Sequence, residues 1–493
     1  MKAIRINEKD NVAVAIEALK SGETVNIGGK SITLTTAVPP GHKFSITDIK
    51  KGGAIIKYGY PIGCATDFLP TGIHIHSSEL RSGLGEILEY EYNPEFSEPT
   101  HKKSGSFMGY RRENGKVGIR NEVWIIPTVG CVNAVACSAE RAAQKFKTDK
   151  IDGIYAYNHP YGCSQLGDDQ NATLDFLCGL IRHPNAGGVL VIGLGCENGN
   201  IGELKKRLGD YDENRVRFLV CQDEADELSA ATEKLKELCD YASLAEREIC
   251  SSSELVIGLK CGGSDGFSGI TANPLLGSLT DRITAEGGSA ILTEVPEMFG
   301  AETILMNRCR TRGIFEKTVA LINDFKRYFI RYGERIDENP SPGNKAGGIT
   351  TLAEKSLGCI QKGGSAVIED VLRYGEPFSK HGLSLLQAPG NDLVASGALV
   401  ASGAQLVLFT TGRGTPFGCP VPTVKISSNT PLFEKKKNWI DFNAGELLNG
   451  TEMSELTDRF YKYVIAVASG EIHAKSEVLD KRSLAIFKDG VTL

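Results

Sequence analysis

The run VWIIPTV, residues 123–129, gives way to a helical period from Asn133, and the same step then recurs along the chain. GIYAYN (153–158) leads to a helix expected from Asp168, and GVLVIGL (188–194) to one near Gly202. VRFLV (216–220) leads to one from Glu224, and ELVIGL (254–259) to one from Pro274, followed by SAILTEV (289–295). Short apolar runs of this kind read as strands buried on both faces. Their alternation with helices predicts an α/β protein with parallel sheet and helices on both sides. A long helix is expected over Arg312 to Tyr332, then the polar break NPSPGNK (339–345). A further α/β stretch follows, with strands SAVIED (365–370), LSLLQA (383–388), AQLVLFT (404–410) and TVKIS (423–427).

Upstream of residue 95 the pattern is different. A strand candidate covers Ala3 to Ile6, and a short amphipathic helix is expected over Asn11 to Leu19, ending at the turn Ser21-Gly22. Short apolar segments broken by glycine follow, the last being EILEYEY (86–92), and they read as strands and turns. NPEFSEPTHKKSGS (93–106) is polar with two prolines and reads as a linker. The chain thus divides into a small β unit (1–95), a linker (96–106) and two α/β subdomains (107–250 and 251–493). A length of 493 residues agrees with about three domains at roughly 150 residues each.

The net charge of -6 argues against general nucleic-acid binding. No apolar run approaches the roughly 20 residues of a membrane span, and the start carries no secretory pattern. Thirteen cysteines without a framework suit a reducing cytoplasm. GLGCENGN lacks the full dinucleotide spacing and no Walker-type G-K-[ST] occurs, so NAD and ATP are disfavoured.

Ligands of open parallel sheets bind beyond the carboxyl ends of strands. Several strands here run into glycine-rich polar turns: His159 to Gln165, Gly195 to Asn198, Lys260 to Gly266, and Thr410 to Gly414. Three of the turns carry cysteine, at Cys163, Cys196 and Cys261. These are three thiolates around a metal or an iron–sulfur cluster, or else three buried free thiols. His74 and His76, two apart on a strand, share one face and form the other metal candidate. Lys260, Ser264, Arg413 and Lys425 are candidates for gripping a carboxylate. His159, Asp265 and Glu197 are candidates for acid–base work.

Seven motifs carry a resemblance: GYRRENGKVGIRN (109–121), GLGCE (193–197), CGGSDGFSGITANPLLG (261–277), GGSAILTEVPEMFGAE (287–302), ENPSPGNKAGGITTLAEKSLG (338–358), FTTGRGTPFG (409–418) and PTVKISSNT (422–430). Through them nearly the whole chain resembles the altronate dehydratase family, which includes galactarate dehydratase. The first unit resembles that family's antifreeze-like β-clip domain. The resemblance implies a hydro-lyase that uses Fe²⁺ or Mn²⁺ to convert a hexonate to 2-keto-3-deoxygluconate, with galactarate as the alternative substrate. An iron–sulfur cluster is the alternative cofactor. The competing expectation outside that class is a non-catalytic sugar-acid binding protein. The expected partner is a small sugar acid, with self-association left open.

Overall fold

The computed structural model describes residues 2–85, 87–98 and 100–492. Glu86 and Pro99, which fall in the EILEYEY segment and the expected linker, lie outside the described residues. The N-terminal unit is built of short antiparallel strands. Ala3–Ile4, Val12–Ala15, Lys43–Ser45 and His74–Ile75 pair in that order into one sheet. Ala54–Lys57, Tyr60–Ala65 and Leu80–Arg81 form a second sheet, and Thr24–Ile27 with Lys30–Thr33 a hairpin. The helix expected over Asn11 to Leu19 is replaced by the strand Val12–Ala15. Paired on both edges and buried at all four side chains, this strand loses the alternation that marks a half-exposed one.

After the linker, Ser106–Arg111 pairs antiparallel with Val117–Gly118 and with Glu248–Ser251, which lies between the two α/β units. The second domain is a four-stranded parallel sheet of β1 (Glu122–Pro127), β2 (Gly153–Ala156), β3 (Ala186–Gly193) and β4 (Val216–Val220), in the order β2-β1-β3-β4. Its helices are α1 (Asn133–Ala143), α2 (Gly167–Ile181), α3 (Ile201–Leu208) and α4 (Glu227–Ala242). Val123, Trp124, Ile125 and Ile126 are all fully buried, because helices cover both faces of β1. Burial stabilises by about 1.5–3 kcal/mol for each large apolar side chain.

The third domain is a seven-stranded parallel sheet. Its strands are β5 (Val256–Cys261), β6 (Ser289–Leu292), β7 (Ile368–Leu372), β8 (Gly382–Leu386), β9 (Leu406–Thr411), β10 (Thr423–Ser427) and β11 (Phe442–Asn443). They lie in the order β7-β8-β6-β5-β9-β10-β11, with β5 central. The helices used below are α5 (Ala272–Ala285), α6 (Arg312–Arg331), α7 (Pro342–Ala346), α8 (Leu352–Cys359) and α9 (Asp392–Ala401). The parallel α/β architecture expected from the alternating pattern is present in both large domains, with the small β domain ahead of them. Among the described residues no helix is long and apolar enough to cross a membrane.

Two contacts join distant parts of the chain. Glu354 on α8 pairs with Lys43 at 2.9 Å and Lys57 at 2.8 Å, all three buried, which fixes the N-terminal domain on the third domain. The C-terminal segment returns to the second domain: Arg482 reaches Glu122 at 3.2 Å and the Tyr155 hydroxyl at 3.0 Å. The backbone N–H groups of Asp489 and Gly490 donate to the Asp169 carboxylate at 2.8 and 2.7 Å.

Candidate active site

Beyond the carboxyl end of β5 lies a cavity of about 500 Å³. The turn after β5 bounds one side, the segment around α7 another, and the start of α9 a third. Asn344 joins the first two, its amide donating to the Ser264 carbonyl at 2.8 Å. Polar groups facing the cavity include Glu297, Asn344, Lys345, Lys355 and Asp392.

Cys261 forms part of the cavity wall, and its sulfur lies 3.3 Å from that of Cys359 and 3.2 Å from Glu297 Oε2. Cys359 donates to the same carboxylate oxygen at 2.9 Å, and Lys355 pairs with the other at 2.8 Å. Burial raises the Glu297 pKa, but Lys355, Lys260 and Lys362 lower it further, to about 2. Glu297 is therefore ionised at neutral pH. The hydrogen bond with Cys261, together with burial, pushes the Cys359 thiol well above its ordinary range, so Cys359 is the protonated donor. The ligand atoms of Cys261, Glu297 and Cys359 lie within 4.8 Å of one another.

A second cluster sits where the N-terminal domain meets α7. His42 precedes the strand Lys43–Ser45, which pairs with the strand carrying His74, and Phe44 lies opposite His74. The rings of His42, His74 and His76 lie 5.1 to 5.8 Å apart, centre to centre. His42 Nδ1 lies 3.0 Å from His74 Nε2. His76 Nε2 is 3.0 Å from the Lys345 carbonyl and His42 Nε2 is 3.3 Å from that of Ala346. Burial, with the neighbouring imidazoles adding to it, lowers His74 to about 4. The domains meet closely here because Gly266 faces Gly41: a Cβ at Gly266 would stand 1.9 Å from the Gly41 carbonyl oxygen.

The structure places the other expected site residues as follows. Arg413 is exposed, its guanidinium beside Gly343 at the start of α7, and its side chain has no partner among the described residues. Lys260 is fully buried and pairs with Glu294 and with Asp392 at 2.9 Å, so it is no free carboxylate grip. Ser264 is buried, and its hydroxyl has no hydrogen-bond partner among the described residues. Lys425 is buried within β10, where burial lowers its pKa to about 8, and it faces none of the cavity.

The three acid–base candidates hold turns together. Asp265 accepts from Ser268, Ser428 and Asn429, joining the turns after β5 and β10. Burial raises its pKa against these bonds. Glu197 accepts from Thr128 at 2.6 Å and from the backbone of Leu194 and Gly195. Burial raises its pKa, but these donors outweigh that and lower it overall. His159 is buried, with Nε2 bonded to the Pro127 carbonyl at 2.8 Å and Nδ1 accepting from Tyr161 N–H. With both ring nitrogens occupied and its pKa lowered by burial, it is a neutral structural residue.

The three cysteines expected at one centre divide between two sheets. Cys163 and Cys196 are exposed at the second domain's edge, whereas Cys261 belongs to the third domain. His42, Glu297, Cys359 and Lys355 were not singled out from the sequence. Three of them lie inside the motifs 287–302 and 338–358, or one residue past the latter, and that clustering is the only sequence signal they carry.

The chain belongs to the D-galactarate dehydratase/altronate dehydratase family of hydro-lyases. Residues 1–83 match the family model described as altronate/galactarate dehydratase SAF domain. Residues 109–243 match D-galactarate dehydratase/altronate hydrolase, second domain, and residues 252–492 match D-galactarate/altronate dehydratase, C-terminal. The chain is 51% identical to the altronate dehydratase of Escherichia coli (strain K12), covering 100% of both chains. It is 52% identical to the altronate dehydratase of Bacillus subtilis (strain 168), over 99% of each. To the galactarate dehydratase (L-threo-forming) of Escherichia coli (strain K12) it is 33% identical, over 95% of this chain and 93% of that one.

Proposed function

We propose that this protein dehydrates D-altronate to 2-keto-3-deoxy-D-gluconate with the help of a divalent metal, Fe²⁺ or Mn²⁺, in a reducing cytoplasm. The observation that carries the substrate is full-length identity of 51–52% with two altronate dehydratases, against 33% with a galactarate dehydratase. The cavity beside α7 supports it. A hexonate has one carboxylate and a chain of hydroxyls. Lys345, a cation without a partner among the described residues, lines the cavity, and Arg413, also without one, approaches Gly343 at the start of α7, so both are placed to hold the carboxylate. Asn344, Lys355 and Asp392 offer polar contacts to the hydroxyls.

Loss of the C2 proton builds negative charge on the substrate carboxylate, and removal of the C3 hydroxyl needs a proton. Positive groups fixed beforehand around the carboxylate stabilise that charge without reorganising. General acid–base help is worth about 10²–10⁴-fold. Imidazole donors suit Fe and Mn, and the neighbouring rings of His42, His74 and His76 offer three of them, less tightly gathered than the donors of Cys261, Glu297 and Cys359. Bound there, a divalent ion supplies Lewis-acid stabilisation.

An assay for 2-keto acids across a panel of aldonates and aldarates, run anaerobically with Fe²⁺, Mn²⁺ or chelator, tests the proposal. Turnover is expected on altronate and is abolished by chelator; preference for galactarate would overturn the substrate. His74→Ala is expected to lower bound metal per chain, read by elemental analysis independently of turnover.

A further inference from the structure

A second cavity, of about 350 Å³, opens between the two large domains. The turn 114–117 and the residues closing α2 bound it on one side. The entry to β5, the end of α9 and the segment before β8 bound it on the other. It is distinct from the cavity beside α7. Val256 on its wall and Cys261 on the other cavity's wall stand at opposite ends of β5, roughly 17 Å apart at about 3.3 Å per strand residue.

Much of the wall is apolar and firmly built. Val117, Pro184, Val256 and Ala401 line it, all buried. Helices α2 and α9 touch backbone to backbone here: a Cβ at Gly179 would stand 2.2 Å from the Ala401 carbonyl oxygen. Small-molecule sites are usually preformed, largely apolar cavities of this kind with a few converging polar groups.

The polar groups of this wall are mainly cationic. Lys116 and Arg182 line it, and neither has an ion-pair partner among the described residues. Arg182 Nη2 donates to the carbonyls of Arg207 and Leu208 at 3.1 and 2.6 Å. Arg215, close enough to repel Lys116, is buried and donates to the carbonyls of Ile181, His183 and Ala186. Carbonyls satisfy these donors but leave the net charge of a guanidinium in place. Desolvation, and after it repulsion from Arg182 and Arg215, lowers the Lys116 pKa. Glu254 is the one acidic residue among the described residues of the wall, and Arg111 already takes both of its carboxylate oxygens, at 2.6 and 3.0 Å.

Ser402 is an independent indication of a guest. It is fully buried on this wall, and its hydroxyl has no hydrogen-bond partner among the described residues. Nearly all buried polar atoms in proteins are paired. Cations without a counter-ion beside an apolar surface suit an anion that carries an apolar body. We propose that this cavity binds a small organic acid, its carboxylate held by Lys116 and Arg182 and its apolar body lying against Val117, Val256 and Ala401. A hexonate does not fit this description, because its hydroxyls would be buried against apolar side chains without partners. Lys116 and Arg182 belong to the second domain and Val256 and Ala401 to the third, so an occupant ties the two together.

The full chain, titrated calorimetrically with benzoate, phenylacetate and isovalerate, tests this. At least one acid is expected to bind at one site per chain with a submillimolar Kd and to raise the thermal transition. Its neutral amide is expected to bind at least tenfold more weakly. Lys116 is exposed, so Lys116→Glu is expected to keep the thermal transition of the free protein and to weaken the acid at least tenfold. Arg413→Ala, beside α7, is expected to leave the affinity unchanged. Failure of all three acids to bind at millimolar concentration, an amide that binds as tightly as its acid, or an unchanged affinity in Lys116→Glu would overturn the inference. Loss of binding in Arg413→Ala would overturn it too, by placing the acid in the cavity beside α7.

Discussion

Arg413 lies beside Gly343 at the start of α7, and its side chain has no partner among the described residues. A hydrogen bond to a charged group contributes about 1.5–3 kcal/mol. Arg413→Ala is therefore expected to raise KM for the hexonate by roughly 10- to 100-fold, measured by steady-state kinetics, and Arg413→Lys to recover part of that loss as a single point charge. The candidate site was partly legible at this scale. The pairing of His74 with His76 follows from strand geometry, and Cys261 from its place at a strand end. His42 was hidden because only the register of two strands 30 residues apart in sequence brings it to His74. The partners of Lys260 and Asp265 were hidden for a similar reason. The chemistry of these two residues is consumed by Glu294 and Asp392 in one case and by Ser428 and Asn429 in the other, partners that no local pattern announces.

Helix α8 serves two neighbours. Its N-terminal turn carries Glu354, which holds the N-terminal domain, and its last residue is Cys359, which donates to Glu297 in the cavity wall. Removing one member of a buried ion cluster strands the others, at a cost of about 3–5 kcal/mol. Glu354→Ala is expected to destabilise the protein by that amount in chemical denaturation. Replacing Lys43, Lys57 and Glu354 together by apolar residues of similar size is expected to cost far less. Elements with strong periodicity were legible: the helix expected over Arg312 to Tyr332 is α6, Arg312–Arg331. The strand Val12–Ala15 was not, because burial on both faces erases the period that separates strand from helix.

Across the whole molecule, Arg120 at the start of the second domain pairs with Glu477 at 2.7 Å, and both are buried. Burial raises the Glu477 pKa, but His473 and Arg120 lower it further, to about 2. Above an unfolded value of 4.5 this contribution is complete, and it is lost as pH falls through about 2. Its size is on the order of 3 kcal/mol. Glu477→Gln is expected to be less stable at pH 7 and to show a flatter loss of stability between pH 5 and 2, as followed by thermal melting. The parallel sheets were legible from alternation alone, but their mutual arrangement was not, since ties such as this join residues more than 350 positions apart.

The return of residues 482–490 to the second domain also bears on the order in which the molecule assembles. Asp169 and Glu122 receive their partners from more than 300 residues downstream, across a third domain that has its own core. Contacts of such sequence separation form late, because the intervening loop must close first. In renaturation from urea, the tail's docking is expected as the slowest step, visible in Arg482→Ala as a faster release of the segment to protease while the two parallel sheets remain protected.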